Sequence, residues 1–194
     1  MKNTIISIFL GLACSLLLTG CPDPQPEREP EGELLPYDCG VTSEELWEYE
    51  GEPDENGDPV LDEKSQLEAD VFAGVNKKRR EAGLSELVMD PCVWYAAQLH
   101  SRDLAYNDYC DHTNLAGEGV GDRLDALSIP WAKCAEVLCC KIYNDDLEDV
   151  VVDRWMNSAD HQQSVLNPLY THGGVGVSRD DLGNYYFTHI LVNY

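Results

Sequence analysis

The chain has 194 residues, 43% hydrophobic and 9% aromatic, with 36 acidic against 13 basic residues and a formal charge of -23. This length and apolar content supply one packed core plus tails. The charge excludes nucleic-acid binding, since no basic stripe is left to neutralise phosphates, and the one basic run, Lys77-Lys78-Arg79-Arg80, fits a solvated helix face.

Lys2 precedes an apolar run from Ile5 to Leu18. The run is too short for a comfortable membrane span and reads as an export leader over residues 1–20. It ends in Leu18-Thr19-Gly20-Cys21, which resembles a bacterial lipobox. That resemblance implies diacylglycerol on the Cys21 thiol, cleavage before it, and the lipid bilayer as a partner. Two or three acyl chains anchor stably where one is marginal. Residues 21–60 are rich in Pro, Glu, Asp and Gly, a composition that cannot bury enough apolar area to offset its ordering entropy. They are expected to form an acidic tether, with Leu46, Trp47 and Tyr49, near Cys39, as the part able to dock. The folded domain is expected over 61–194.

Export also sets the redox compartment. With Cys14 lost in the leader and Cys21 lipidated, Cys39, Cys92, Cys110, Cys134, Cys139 and Cys140 remain. Six cysteines in an exported domain predict three disulfides, in pairings the sequence leaves open. Cys139 and Cys140 should take different partners, because a vicinal ring is strained. A thiolate metal site would call for paired Cys-x-x-Cys spacing, which is missing.

In chain order, Leu67, Val71, Phe72 and Val75 predict a helix over 61–82, stopped at Gly83. Asp90 caps a second helix with Pro91 at its first position, running to about Asn107. Residues 108–130 read as loop. Trp131 to Tyr143 reads as a helix around Glu136. Asn144-Asp145-Asp146 caps a further helix carrying Leu147, Val150, Val151 and Trp155. Ser158 to Leu166 forms a short helix holding His161, stopped by Asn167-Pro168. Val175–Ser178 and Tyr185–Val192 alternate as a β-hairpin around Asp180–Gly183. Helices first and strands last, with no βαβ alternation, predict an α+β fold with an antiparallel sheet covered by helices.

Three places pair a titratable group with a fixed backbone context: Asp111-His112-Thr113-Asn114, Ala135-Glu136-Val137, and Ser158-Ala159-Asp160-His161. With Asn76, Gly83-Leu84, Ala97, His100, Arg123-Leu124, Trp155 to Pro168 and Gly174 to Gly176, their order and spacing resemble the CAP, or SCP-like, superfamily, in its bacterial branch. The resemblance covers about residues 66–194. It implies an α-β-α sandwich and a cleft lined by His112, Glu136 and His161, able to hold Zn²⁺ through the two imidazoles with Glu136 as a further ligand. The family's Gly-Glu-Asn is Ala135-Glu136-Val137 here, and Ser158 stands where larger members carry a second Glu. Two imidazoles, a carboxylate and water are a reasonable zinc set, and equally a metal-free polar cluster. His100, His172 and His189 read as a helix surface, a turn and a strand face, and Glu118 as an exposed loop acid.

Three functions follow as expectations. The leading one is an exported, lipid-anchored binding module of the bacterial envelope, for a lipid, envelope or protein ligand. The second is a hydrolase using Ser158, His161 and Glu136, or a bound zinc, although no Gly-x-Ser-x-Gly elbow is present. The third is a structural envelope protein whose polar cluster pins the helix–sheet junction.

Overall fold

The computed structural model describes Cys39, residues 52–53, 59–60, 62–143 and 147–194. The chain divides into residues 1–34 and 35–194, and every described residue belongs to the second unit. The expected leader, Cys21, most of the tether and the Asn144–Asp146 cap lie outside the described residues.

Two short strands, β1 (Glu52–Pro53) and β2 (Pro59–Val60), pair antiparallel. Helix α1 (Glu63–Glu81) follows, capped by Asp62, whose side chain accepts from the Ser65 amide at 2.7 Å. Gly83 ends it at φ +75°, a conformation open to glycine at little cost. Strand β3 (Val88–Met89) leads into α2 (Pro91–Asn107), where Asp90 accepts from the Cys92 and Val93 amides. Helix α3 (Val120–Ala126) and strand β4 (Lys133–Ile142) follow, then α4 (Leu147–Asn157), α5 (Ala159–Val165), β5 (His172–Arg179) and β6 (Tyr185–Asn193). None of the helices is long and apolar enough to cross a membrane, among the described residues.

The main sheet has the order β3-β5-β6-β4, antiparallel except for the short β3–β5 pair. Strand side chains alternate between faces, and β6 shows it. Phe187 and Leu191 join one core with Val71 and Val75 of α1 and Val151, Val152 and Trp155 of α4. Ile190 and Val192 join the opposite core with Val93, Ala96 and Ala97 of α2 and Leu124 of α3. The result is helices, sheet, helices: the expected α-β-α sandwich.

Glycine sets the spacing on the α2 side. A Cβ on Gly174 would lie 2.2 Å from the Trp94 backbone nitrogen, and one on Gly176 would lie 2.3 Å from that of Gln98. Helix and strand therefore touch backbone to backbone, and the Ser101 hydroxyl donates to the Gly176 carbonyl oxygen at 2.7 Å.

Several expectations are corrected. Residues 133–142 form a strand, not a helix around Glu136. Ala, Glu, Leu and Lys favour helix locally, but the ladder with β6 wins. Both sheet faces are covered here, so the apolar–polar alternation that betrays a strand is lost. Residues 108–130 include α3 and are not all loop. His100 is fully buried instead of lying on a helix surface, and His172 opens β5 instead of sitting in a turn; His189 lies on strand β6 as expected, fully buried. Arg79 is buried, not part of a solvated face. Its guanidinium donates to the carbonyls of Ser85, Val165, Asn167 and Tyr170 at 2.7–3.0 Å. Val165 is the last residue of α5, where the helix dipole is negative, so the cation is placed where its charge is stabilised.

Among the described residues the cysteines form two disulfides, Cys39–Cys92 and Cys110–Cys140, not three, and Cys134 and Cys139 are free thiols. The reason is geometric. Cys134 and Cys139 are five residues apart on one strand, about 17 Å if extended, and face opposite sides. A disulfide needs Cα atoms within about 7 Å. Cys39 is buried and bonded to Cys92 on α2, so the chain ahead of the domain is stapled to it there.

Candidate functional site

Register decides where Glu136 points. It pairs with Ile190 of β6, whose side chain belongs to the α2 core, so the carboxylate enters that side of the sheet. Its side chain is 1% exposed. A lone carboxylate would be costly there, and it has two cationic or polar partners. One oxygen contacts His112 Nδ1 at 2.8 Å, and the other accepts from Arg123 Nη2. Buried His100 adds its Nε2 at 3.8 Å from the first oxygen.

The loop between α2 and α3 is built to deliver His112. Asp108, at φ +52°, ends α2 in the left-handed conformation. Cys110, two residues before His112, is bonded to Cys140 on β4. Asn114 Oδ1 accepts from the Ala116 and Glu118 amides, closing a tight turn. Arg123 Nη1 donates to the His112 and Glu118 carbonyls, each at 3.0 Å. Arg123 thus fastens both limbs of the loop while Nη2 holds Glu136. Glu118 itself is exposed, as expected.

The electrostatics follow from this geometry. The hydrogen bond to Glu136 raises the His112 pKa, against partial desolvation. Its side chain remains 55% exposed. His161 is lowered by desolvation and then by the nearby His112 charge. His100 is lowered by burial, only partly offset by Glu136. The cluster therefore presents an exposed imidazole, His112, biased toward its cationic form and held by a buried acid, with half-buried His161 beside it.

The expected three-residue zinc set does not fit these residues. Both Glu136 oxygens are engaged, one by a guanidinium and one by His112 Nδ1. Among the described residues no group of three His, Cys, Asp or Glu side chains is arranged to hold a metal. The expected Ser158–His161–Glu136 arrangement is not assembled either. Ser158 starts α5 without a side-chain capping bond, and Glu136 is hydrogen-bonded to His112, with no hydrogen bond to His161. The orienting half of a triad is present at Glu136–His112, without a serine hydrogen-bonded to that imidazole.

Arg123 and His100 were not identified as site residues from the sequence. A signal for Arg123 existed: it is the only Lys or Arg between Arg102 and Lys133, in a glycine- and acid-rich stretch. Such a solitary cation has few neighbours to pair with except a carboxylate.

Comparison with known proteins agrees with this architecture. Residues 72–194 match the cysteine-rich secretory protein family. Uncharacterized protein YkwD of Bacillus subtilis is 30% identical over 112 residues, covering 58% of this chain and 42% of the relative. Uncharacterized membrane protein YlbC of the same organism is 31% identical over 125 residues, covering 62% and 35%. The match thus spans less than half the length of either relative. Among solved structures, an extracellular SCP-domain protein of Bacillus anthracis superposes with TM-score 0.60 at 24% identity, covering 68% of this chain and 41% of that one. An outer surface protein of Borrelia burgdorferi superposes with TM-score 0.61 at 20% identity, covering 69% and 96%.

Proposed function

This chain belongs to the cysteine-rich secretory protein family, and from that premise we propose that it is an exported, lipid-anchored binding module of the bacterial envelope. Its ligand or partner docks at the surface formed by the His112 loop and the His161 helix. The observation that carries this reading is the Glu136 clamp. A buried carboxylate, a buried arginine and a disulfide all serve to fix one loop and display one imidazole. No hydroxyl or thiol nucleophile is hydrogen-bonded to that imidazole among the described residues, which favours capture over turnover.

Several observations support the location. Two disulfides suit an oxidising compartment. The leader and Cys21 suit acylation, and two neighbours in structure are described as extracellular and outer-surface proteins.

The test has two readouts. The full chain produced in a bacterial host should fractionate with membranes and partition into detergent, whereas Cys21→Ser should be released. Immobilised wild-type protein should then retain a defined envelope fraction (lipid extract, glycan or protein) that His112→Ala loses while keeping its melting temperature. Equal partitioning of Cys21→Ser would refute the anchor. Equal retention by His112→Ala would refute the docking surface.

A further inference from the structure

The main sheet leaves one strand edge open. Strand β3 pairs only with His172 and Gly173 of β5, so among the described residues no strand lies beyond β5 from Gly174 to Arg179. Backbone N–H and C=O groups alternate in direction along a strand. The Val177 N–H points outward, donating to Glu68 of α1 and Gln98 of α2, each at 2.9 Å. Arg179, two residues on, therefore turns its own N–H and C=O to the same open side.

Two cavities meet at that edge. One, of about 570 Å³, lies between the start of α1, α2 and β5. The other, of about 550 Å³, lies between α1, the start of α4 and the β5–β6 hairpin. Glu63, Arg179 and Tyr185 line both, so the two form one groove past Arg179. Arg179 is held in the middle. Its guanidinium lies over the Tyr185 ring, 5.1 Å from the centroid, and its Nε donates to the Gly183 carbonyl oxygen at 3.2 Å. The two ends carry opposite charge. Lys64 of α1 and Arg102 of α2 line the first cavity, and among the described residues neither side chain has a hydrogen-bond partner. The acids at that end are engaged, Asp62 as the α1 cap and Glu63 by the Tyr185 hydroxyl, which donates at 3.4 Å. Asp70 of α1 and Glu148 of α4 line the second cavity.

From Lys64 to Asp70 the α1 axis rises about 9 Å, which an extended chain covers in about three residues. We propose that this groove binds an extended peptide carrying one acidic and one basic side chain about that far apart. Its main chain adds to the β5 edge at Arg179, its acid lies toward Lys64 and Arg102, and its base toward Asp70 and Glu148. Main-chain hydrogen bonds hold the peptide, and the two charged ends select it. A wholly acidic peptide would set like charges against Asp70 and Glu148, and a wholly basic one against Lys64 and Arg102. None of the lining residues belongs to the His112 loop or to α5, so this site goes beyond the docking surface of His112 and stands without it.

Three capped alanine-based peptides separate the alternatives: one with a glutamate and a lysine about three positions apart, one with two glutamates and one with two lysines. Calorimetry at low ionic strength would use the full chain carrying Cys21→Ser, so that no detergent competes. The mixed peptide should bind with saturation, about tenfold tighter than either like-charged peptide. Arg102→Glu and Asp70→Lys, both at exposed positions, should each weaken the mixed peptide about tenfold. Arg102→Glu should also tighten the two-lysine peptide, a gain that a misfolded variant would not give. N-methylation of the mixed peptide's backbone removes its main-chain donors and should weaken it about tenfold. Phosphocholine, a zwitterion with no peptide backbone, should bind more weakly by a similar factor. The proposal is overturned if the mixed peptide gives no saturable heat, or if the three peptides bind alike. It is equally overturned if both charge reversals bind as wild type does, or if the N-methylated peptide or phosphocholine matches the mixed peptide.

Discussion

Glu68 and His189 are both buried and both far from their ordinary titration ranges. Glu68 accepts from Trp94 Nε1 at 2.7 Å and from the Val177 amide at 2.9 Å, yet desolvation outweighs these bonds and pushes its pKa up to about 7. His189 is stacked on Trp155 and edge-on to Phe72, and burial pushes it down to about 4. Their linkage signs are opposite. As pH rises from 4.5 toward 7, the unfolded chain ionises Glu68 while the folded chain resists, so stability falls. As pH falls from 6.5 toward 4, the unfolded chain protonates His189 while the folded chain resists, so stability again falls. Each effect is on the order of 3 kcal/mol at its limit. Between about pH 4.5 and 6.5 these two contributions run against each other and largely cancel. His189→Phe should uncover a decline toward neutral pH, and Glu68→Gln a rise. Melting curves across that window decide it, and unchanged profiles in both variants would remove these two groups as the cause. Neither residue drew notice in the sequence as a buried titrating group, because Glu68 lies in an ordinary-looking helix pattern and His189 in an apolar strand. Burial of a single side chain depends on what the rest of the chain lays over it.

At the scale of elements, the contact between α2 and β5 is the most tightly specified. The Gly174–Gly176 segment and the Asp90–Pro91 helix start were both visible in the sequence, and each element formed as expected. That the glycines face the α2 backbone was not visible, since nothing local tells which helix crosses a strand. Gly176→Ala should cost about 3 kcal/mol or more, because its Cβ meets backbone that no rotamer change can move aside. Urea unfolding measures this, and a loss below about 1 kcal/mol would mean that helix and strand separate easily. Arg79 serves a second junction. It ties α1 to the end of α5, the helix that carries His161. Arg79→Lys keeps the charge but loses the planar fork that reaches several carbonyls at once. It should lower stability by about 2 kcal/mol, read by the same unfolding curves. An unchanged midpoint would show that the clamp is dispensable.

Over the whole molecule, the two disulfides close separations of 53 and 30 residues. Loop-closure entropy puts the stabilisation near 4 kcal/mol for each, an upper figure for a real denatured state. Removing Cys110–Cys140 by paired serine substitution should lower the melting temperature and also loosen the His112 loop, seen as faster amide exchange at residues 108–119. Removing Cys39–Cys92 should lower stability without touching that loop. Exchange that quickens equally in both would refute this division. Thiol labelling gives an independent check: of the six cysteines from Cys39 onward, the native protein should react at half-buried Cys134, and Cys139 only after unfolding.

Much was determined by the sequence alone. The helix caps, the His161 helix, the hairpin and the ordered motifs that identify the family all rest on local residue chemistry, and local chemistry is legible without coordinates. The family resemblance in turn carried the sandwich fold and the expectation that His112, Glu136 and His161 share one cleft, of which the structure hydrogen-bonds His112 to Glu136. Tertiary structure alone decided the rest. It made residues 133–142 a strand, divided six cysteines into two bonds and two thiols, and committed Glu136 to Arg123. The physical reason is common to all three. A strand's hydrogen bonds, a disulfide's partner and a buried acid's counter-ion come from residues distant in sequence, and their identity is fixed only when the sheet register brings them within reach.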